Sequence, residues 1–142
     1  MNLSMLSCAE AQHAELPGIR GVGIDMVQIS RLEQMRKIEN GVLLRHIFSD
    51  QELLEAEESL QPATYLAGRF AVKEAAFKAI AHLLSEKRFD LRLIQTLRQP
   101  DGSPQILRAE ALGRILQDAS VTDLHVSITN EADYTVAIVV AS

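Results

Sequence analysis

Residues 65–84 carry the strongest periodic signal in the sequence, and they constrain the fold more than any other stretch. Apolar side chains recur there at helical spacings, at Leu66, Phe70, Phe77, Ala81 and Leu84. At about 100° per residue these positions fall on one face, which is typical of a helix that packs against a core. Lys73 lies near the middle of that face, Glu74 lies on its flank, and Lys78 follows one turn later. The stretch therefore predicts a long central helix with charges where a plain core helix has none.

Two interpretations of these charges are open from the helix alone. In the simpler one, Glu74 and Lys78 form an exposed i,i+4 ion pair, while Lys73 buries its stem and extends its ammonium to water. In the other, the small residues Ala67 and Ala71 leave room beside Glu74 for another backbone or a ligand. The second interpretation requires a further acidic group from elsewhere in the chain.

The length and composition predict one globular domain. The chain has 142 residues, 47% of them hydrophobic and 23% charged, and we expect residues 18–142 to form the domain. Residues 1–17 are expected to be a loosely ordered extension without the features of a signal peptide. No apolar run approaches the ~20 residues of a membrane span, and a net charge of −5 argues against a general nucleic-acid binder. Cys8 is the only cysteine, which excludes an intrachain disulfide and favours a reducing, cytoplasmic location.

An acidic residue interrupts the first predicted strand, residues 19–29. The strand alternates between two faces, one with Val22, Ile24 and Met26 and the other with Gly23, Asp25 and Val27. A carboxylate in such an apolar run is costly unless it has a partner, so Asp25 needs a cap, a salt bridge or a metal. Gly21 and Gly23 beside it permit the close approach of another backbone or a ligand.

The remaining pattern predicts further helices and strands that share one core. Capping boxes at Ser30–Glu33 and Ser49–Glu52 open two helices that end near residues 40 and 60, and Pro62 stops the second helix. Further elements are expected as a strand at 89–97, a turn at 100–102 with a short strand at 104–107, a helix at 108–119, and paired strands at 125–129 and 134–141. We therefore predict an α+β fold in which a small mixed or antiparallel sheet packs with the long central helix.

A metal site follows if the first strand packs on the central helix. Asp25 and Glu74 would then come together and provide the oxygen ligands that Mg²⁺ prefers. Magnesium usually keeps water and substrate phosphates at its other positions, which implies a phosphate-bearing substrate. Lys78 would neutralise phosphate charge, and Lys73 or Arg69 would add to that positive field.

The first strand and the central helix each carry a distinctive motif. The first is G-I-D-M-V-Q-I-S-R-L at residues 23–32, and the second is R-F-A-V-K-E-A-A-F-K-A at residues 69–79. Both resemble motifs of the bacterial holo-(acyl-carrier-protein) synthases, which are 4′-phosphopantetheinyl transferases, and they occur in that family's order. The likeness extends to residues 48–52, 101–104 and 125–129, so it covers most of residues 19–141.

The resemblance implies an enzyme that transfers the 4′-phosphopantetheine arm of coenzyme A to a serine of an apo acyl carrier protein and releases adenosine 3′,5′-bisphosphate. It assigns Mg²⁺ to the carboxylates of Asp25 and Glu74, and it counts these two residues and Lys78 as catalytic. It assigns the binding of coenzyme A to Arg69, Lys73, Lys78, Gly102, Pro104 and Ser127. Members of the family are typically homotrimers. Their acidic carrier protein, which serves fatty-acid or secondary metabolism, would dock here on Arg31, Met35 and Arg36.

Three positions depart from the pattern of that family. Residues 80–84 replace a glycine-rich turn, Ser103 replaces a lysine, and Asn130 replaces a His or Asp. The last change leaves proton acceptance to Glu131 or to water on the metal. These differences keep an alternative open, namely a relative that binds the carrier protein without transferring the arm. A structural oligomer without a metal site is a third possibility.

Overall fold

The computed structural model describes residues 18–142 and has the predicted α+β fold. The prediction for residues 1–17 lies outside the described residues. A three-stranded antiparallel sheet consists of β1 (Gly21–Gln28), β4 (Leu124–Glu131) and β5 (Tyr134–Ala141), with β5 in the centre. The strands β2 (Thr96–Arg98) and β3 (Pro104–Ile106) form a separate hairpin, which confirms the predicted turn at 100–102.

The described residues form four α-helices: α1 (Ile29–Lys37), α2 (Asp50–Glu58), α3 (Pro62–Ile80) and α4 (Glu110–Asp118). The predicted central helix is α3, which contacts all three strands of the larger sheet as well as α1 and α2. Pro62 lies in the first turn of α3 and does not end the helix before it. Proline has no N–H group, and a helix makes no intrahelical hydrogen bond to the N–H groups of its first turn, so proline is well accommodated there. No helix among residues 18–142 is long and apolar enough to cross a membrane.

The strand β1 lies directly against α3 because no side chain separates the two backbones. A Cβ atom on Gly23 would lie 1.8 Å from the carbonyl oxygen of Ala75, and one on Gly21 would lie 1.9 Å from that of Ala79. Ala75 and Ala79 are fully buried and lie one turn apart on α3. The predicted use of these glycines for close backbone approach is confirmed, and it fixes the distance between strand and helix.

The two faces of the larger sheet differ in burial, as the alternation in β1 predicts. On the side that faces α3, Val27, Ala137 and Val139 are at most 2% exposed. The opposite side carries large apolar side chains that are 39–64% exposed, and we call it the outer face, defined by Val22, Ile24, Met26 and Ile138. The outer face is therefore an apolar surface with no partner inside residues 18–142.

A two-residue turn, Ala132 and Asp133, joins β4 to β5 and sets their register. Asn130 pairs with Thr135, which is fully buried on the side of α3, whereas Glu131 pairs with Tyr134 on the outer face. The sequence predicted a loop over residues 130–133, so the strands continue further toward the turn than expected.

The helix α3 is buried around most of its circumference. Leu66 and Phe70 lie in the core as predicted, but Val72 and Lys73 are fully buried as well. The predicted single apolar stripe is therefore too narrow, because α3 packs against helices in addition to the sheet. The α-helix ends at Ile80 and continues as one 3₁₀ turn at Ala81–Leu83, so it is shorter than predicted.

One predicted capping box is present and the other is wrong. The Glu52 amide donates to the Ser49 hydroxyl at 3.2 Å, and the Ser49 amide donates to the Glu52 carboxylate at 3.0 Å. At the start of α1, Gln28 is the cap residue and makes no side-chain hydrogen bond, since β1 runs directly into the helix. The Ile29 amide donates instead to the carbonyl oxygen of Asp133 at 2.8 Å.

The ammonium group of Lys73 explains why residues 89–97 do not form the predicted strand. It donates to the carbonyl oxygens of Leu91 at 3.0 Å and Ile94 at 2.6 Å, which therefore do not join a β-ladder. Residues Leu91–Leu93 form a 3₁₀ turn, and pairing begins only with β2.

The same ammonium forms a buried ion pair. Its Nζ lies 2.8 Å from Glu52 Oε2, and both side chains are 0% exposed. Burial lowers the pKa of Lys73 below the ordinary lysine value, while the charge of Glu52 acts in the opposite direction. The expectation that this ammonium reaches water is wrong, because Lys73 links α3 to α2 and to residues 91–94.

We expect Lys73→Met to lower the free energy of unfolding by about 3–5 kcal/mol, because the Glu52 carboxylate is then buried without a partner charge. Urea unfolding measures the change. The double variant Lys73→Met, Glu52→Gln should recover part of the loss, since the amide still accepts from the Ser49 amide and carries no charge. A single variant within about 1 kcal/mol of the wild type would contradict this account.

We expect Gly23→Ala to destabilise the protein by about 3 kcal/mol or more, because the new methyl group overlaps backbone atoms of α3 that cannot move independently. The matched control is Gly113→Ala in α4, where a Cβ atom meets nothing within 4 Å. That control should stabilise the helix by roughly 0.5–1 kcal/mol. Thermal unfolding compares the two variants, and similar melting temperatures for both would refute the close contact.

Candidate active site

Asp25 lies where β1 meets α3, on the same side of the strand as Gly23. Lys78 of α3 reaches across this contact. Its Nζ lies 2.9 Å from Asp25 Oδ1 and donates to the carbonyl oxygen of Ile24, also at 2.9 Å. The side chain of Asp25 is 17% exposed and that of Lys78 is 50% exposed. The carboxylate in the apolar strand therefore has a charged partner, as its surroundings require.

Glu74 lies one turn before Lys78 on α3, so the two side chains share a face of the helix. The i,i+4 ion pair between them is nevertheless absent, because Lys78 pairs with Asp25 instead. Within residues 18–142, Glu74 takes part in no ion pair and no side-chain hydrogen bond. Gly23 lies over Ala75, the residue after Glu74, so Glu74 belongs to the part of α3 that packs against β1. We call the group of Asp25, Glu74 and Lys78 the carboxylate junction.

The donors at the carboxylate junction fit Mg²⁺. The carboxylate of Asp25 is paired with Lys78, and that of Glu74 has no competing partner in the described part of the chain. No group of three or more His, Cys, Asp or Glu residues that could hold a metal ion occurs between residues 18 and 142. Magnesium suits such a site, because it binds through one or two carboxylates and takes its other ligands from water and substrate phosphates.

A cleft of about 610 Å³ lies nearer the N-terminus of α3. Its wall includes two arginines from different elements, Arg69 of α3 and Arg98 of β2, together with Asn130 of β4 and two glutamates of α2, Glu55 and Glu58. We call it the arginine cleft. At 1.5 Å per residue, Arg69 is roughly 14 Å from Lys78 along the helix axis. None of Asp25, Glu74 and Lys78 lines the cleft, so it is separate from the carboxylate junction within one chain.

Arg69 has the properties of a residue that binds an anion. It is 6% exposed, its Nε atom has no hydrogen-bond partner, and its guanidinium carbon lies 4.1 Å from the centroid of the Tyr65 ring. No carboxylate lies within 4.0 Å of its guanidinium nitrogens in residues 18–142. A planar guanidinium that is not neutralised by a carboxylate suits a phosphate group.

The ring of Tyr65 packs against the guanidinium of Arg69 and helps to hold it in position. Its hydroxyl donates to Glu55, and burial together with this hydrogen bond raises the pKa of Tyr65 well above the ordinary tyrosine value. The ring therefore stays neutral and provides a flat surface for the guanidinium. Sequence reasoning missed Tyr65 and Arg98, since neither lies in a pattern that indicates a cleft. It noticed Asn130 only as a departure from a motif.

Of the other residues predicted to bind coenzyme A, Lys73 is buried, and Gly102, Pro104 and Ser127 lie apart from the carboxylate junction. Lys73 has no exposed surface, and its ammonium is fully engaged, so its burial does not support contact with a ligand. Gly102 lies in the turn of the β2–β3 hairpin with a φ of +88°, and Pro104 begins β3, which contacts β4. Ser127 pairs with Ile138 on the outer face. Gly102, Pro104 and Ser127 belong to the β4 side of the molecule, opposite the edge strand that carries Asp25.

The helix α1 follows β1 without a loop and carries the residues predicted to bind a carrier protein. Arg31 is exposed, and its guanidinium carbon lies 5.3 Å from the centroid of the Phe70 ring. Met35 is half-buried. Arg36 donates to Glu33 at 3.4 Å and lies 3.9 Å from Glu57, so its charge is partly neutralised. Arg31 therefore presents the more accessible charge of the two arginines.

Comparison with known proteins identifies the family. Residues 21–139 match the family model described as the 4′-phosphopantetheinyl transferase superfamily. The chain is 32% identical over 122 residues to the holo-[acyl-carrier-protein] synthase of Hamiltonella defensa, which covers 86% of this chain and 96% of that protein. It is 31% identical over 123 residues to the enzyme of that name from Neisseria meningitidis, at 87% and 98% coverage.

Solved structures agree with the sequence comparison. The crystal structure of holo-[acyl-carrier-protein] synthase from Neisseria meningitidis is similar at a TM-score of 0.77 and 30% identity, covering 87% of this chain and 98% of that one. The Helicobacter pylori enzyme in complex with coenzyme A is similar at a TM-score of 0.71 and 26% identity, covering 85% and 99%. Taken together with the match over residues 21–139, these similarities show that the chain belongs to the 4′-phosphopantetheinyl transferase superfamily.

Proposed function

We propose that this protein transfers the 4′-phosphopantetheine arm of coenzyme A to a serine of an apo acyl carrier protein, with Mg²⁺, in the cytoplasm. The second product is adenosine 3′,5′-bisphosphate. The name of the relatives supports the reaction, and the bound coenzyme A of the Helicobacter pylori enzyme supports the donor. Within this chain, the observation that carries the proposal is the ion pair between Lys78 and Asp25 where β1 packs on α3, with Glu74 one turn before Lys78 on the same helix.

The proposed chemistry needs residues that position and neutralise a diphosphate. Asp25 and Glu74 would hold Mg²⁺, which supplies a positive charge to the diphosphate oxygens of coenzyme A. Lys78 is half-exposed beside them and would donate to the same oxygens, which stabilises the negative charge that develops on the leaving phosphate. The serine oxygen of the carrier bonds to the phosphorus that bears the arm, the bond to the nucleotide part breaks, and the serine proton passes to solvent.

The arginine cleft is proposed to bind the nucleotide end of coenzyme A. Arg69 and Arg98 provide two positive charges there, and the cleft has room for a phosphate-bearing group. The glutamates Glu55 and Glu58 also line the cleft, but neither forms an ion pair with an arginine of the cleft in residues 18–142. The predicted contacts of coenzyme A with Gly102 and Pro104 are proposed on the same side of the molecule, because the β2–β3 hairpin contacts β4. The contact with Ser127 is proposed on the outer face of β4.

A homotrimer is proposed to complete the site. The outer face exposes several large apolar side chains together, which is unusual for a monomer surface. The carboxylate junction lies at the β1 edge of the sheet and the arginine cleft lies toward β4, so the two half-sites of one chain are apart. Contact between sheets would allow the junction of one chain to combine with the cleft of a neighbour.

The docking of the carrier protein is proposed on α1. Arg31 and Arg36 give that helix a basic surface, and Met35 gives it an apolar contact between them. An acidic partner would be attracted to this surface in a protein whose net charge is −5. Because α1 begins directly after β1, a carrier bound there would present its serine close to Asp25.

We expect Glu74→Gln to reduce kcat/KM for arm transfer by about 100-fold or more, because the amide retains the shape of the side chain but removes a metal-binding charge. Mass spectrometry of an apo carrier protein, incubated with coenzyme A and Mg²⁺, measures the gain of the arm. The control is Glu86→Gln, which alters an exposed glutamate with no ion pair in the described residues and should leave the rate unchanged.

The wild-type arm of that assay separates the two functional hypotheses. A carrier protein that gains the arm supports the transferase. If several apo carrier proteins bind to the wild-type protein and none of them gains mass, the proposal fails in favour of a carrier-binding relative.

We expect Ile24→Glu to dissociate the trimer, because it places a charge in the middle of the apolar outer face. Light scattering after size-exclusion chromatography should give the mass of three chains for the wild type and of one chain for the variant. Gln117→Glu on α4 adds the same charge to an exposed position away from the sheet and should remain trimeric. A wild-type protein with the mass of one chain would contradict the proposed assembly.

A further inference from the structure

Lys78 occupies the same carboxylate that the proposed magnesium site requires. Its Nζ is held by two oxygens of β1, Asp25 Oδ1 and the carbonyl oxygen of Ile24, each at 2.9 Å. Because the Asp25 side chain is only 17% exposed, water screens this pair less than a surface pair. The ammonium therefore places a positive charge directly against Asp25.

A metal ion and this ammonium compete for Asp25. Magnesium binds a carboxylate oxygen at about 2.1 Å, so an ion on Asp25 would lie close to the ammonium. Two cations on one partly buried carboxylate repel each other. Glu74 forms no ion pair in residues 18–142, so a cation that binds it displaces no partner. Lys78 pairs with Asp25 and not with Glu74.

Lys78 is half-exposed, and both of its hydrogen-bond partners belong to β1. A diphosphate at the junction would offer several anionic oxygens to the displaced ammonium, which has three hydrogen atoms to donate. Metal without diphosphate offers it no such new partner.

We infer that Lys78 is an internal counter-ion, which holds Asp25 until metal and diphosphate bind together and then moves from the carboxylate to the diphosphate. The metal alone binds weakly, because it must displace the ammonium. Metal and coenzyme A therefore increase each other's affinity by the same factor. This inference rests on the proposed function, and it adds to the coupling that a metal shared between the carboxylates and the diphosphate already produces.

The test is isothermal titration calorimetry of the full chain with Mg²⁺, with and without coenzyme A and in the absence of carrier protein. We expect Lys78→Met to bind Mg²⁺ alone about fivefold more tightly than the wild type, or better. The factor by which coenzyme A increases the Mg²⁺ affinity should be smaller in Lys78→Met and in Lys78→Gln. Lys87→Met removes one exposed positive charge elsewhere and should behave as the wild type.

The outcomes distinguish this inference from the proposed function. If neither Lys78 variant binds Mg²⁺ alone more tightly than the wild type, while the wild type binds Mg²⁺ with coenzyme A, the inference is overturned and the magnesium site stands. If Asp25→Asn binds Mg²⁺ as well as the wild type in the presence of coenzyme A, the metal site itself is wrong and both proposals fail. Melting temperatures of all variants establish that each is folded during the titrations.

Discussion

The contact between β1 and α3 depends on the absence of side chains. Gly21 and Gly23 of the strand lie against the carbonyl oxygens of Ala79 and Ala75, and neither glycine has room for a methyl group. Because two backbones meet directly, their separation does not vary with the rotamers of intervening residues. The distance between the backbones of Asp25 and of the α3 residues next to Ala75 is therefore fixed as well. Functional groups that must hold one small ion require such rigid support.

Two lysines of α3 show how strongly surroundings decide the role of a side chain. Lys73 is fully buried and binds Glu52 and two backbone carbonyl oxygens, so it links α3, α2 and residues 91–94. Lys78 carries the same ammonium, but it is half-exposed and rests on Asp25 at the edge of the sheet. The first contributes to the fold, and the second is available to a ligand. Their separation in sequence is small, and the difference arises from what packs over each of them.

Much of this arrangement could be predicted from local anomalies in the sequence. Asp25 was identified because it is acidic within an apolar strand, and Glu74 because it flanks an apolar helix face with small neighbours. The pairing of Lys78 with Asp25, in place of Glu74, is a tertiary contact that helical spacing does not reveal. For the same reason, the alternation in residues 89–97 predicted a strand, although Lys73 engages their carbonyl oxygens. Arg98 comes to the arginine cleft only through the fold of a hairpin.

The short connection between β4 and β5 has a chemical consequence. Alternate residues of a strand point to opposite faces, and a two-residue turn leaves Asn130 on the side of α3 and Glu131 on the other. An insertion of one residue between Glu131 and the turn, with the turn kept at two residues and β5 in place, would shift β4 by one residue and exchange the two. A carboxylate would then replace a neutral amide in the cleft that Arg69 lines, and it would compete with phosphate for the guanidinium group. A shift of one residue in β4 would thus add a third carboxylate to a cleft that already contains Glu55 and Glu58, and would weaken its attraction for phosphate.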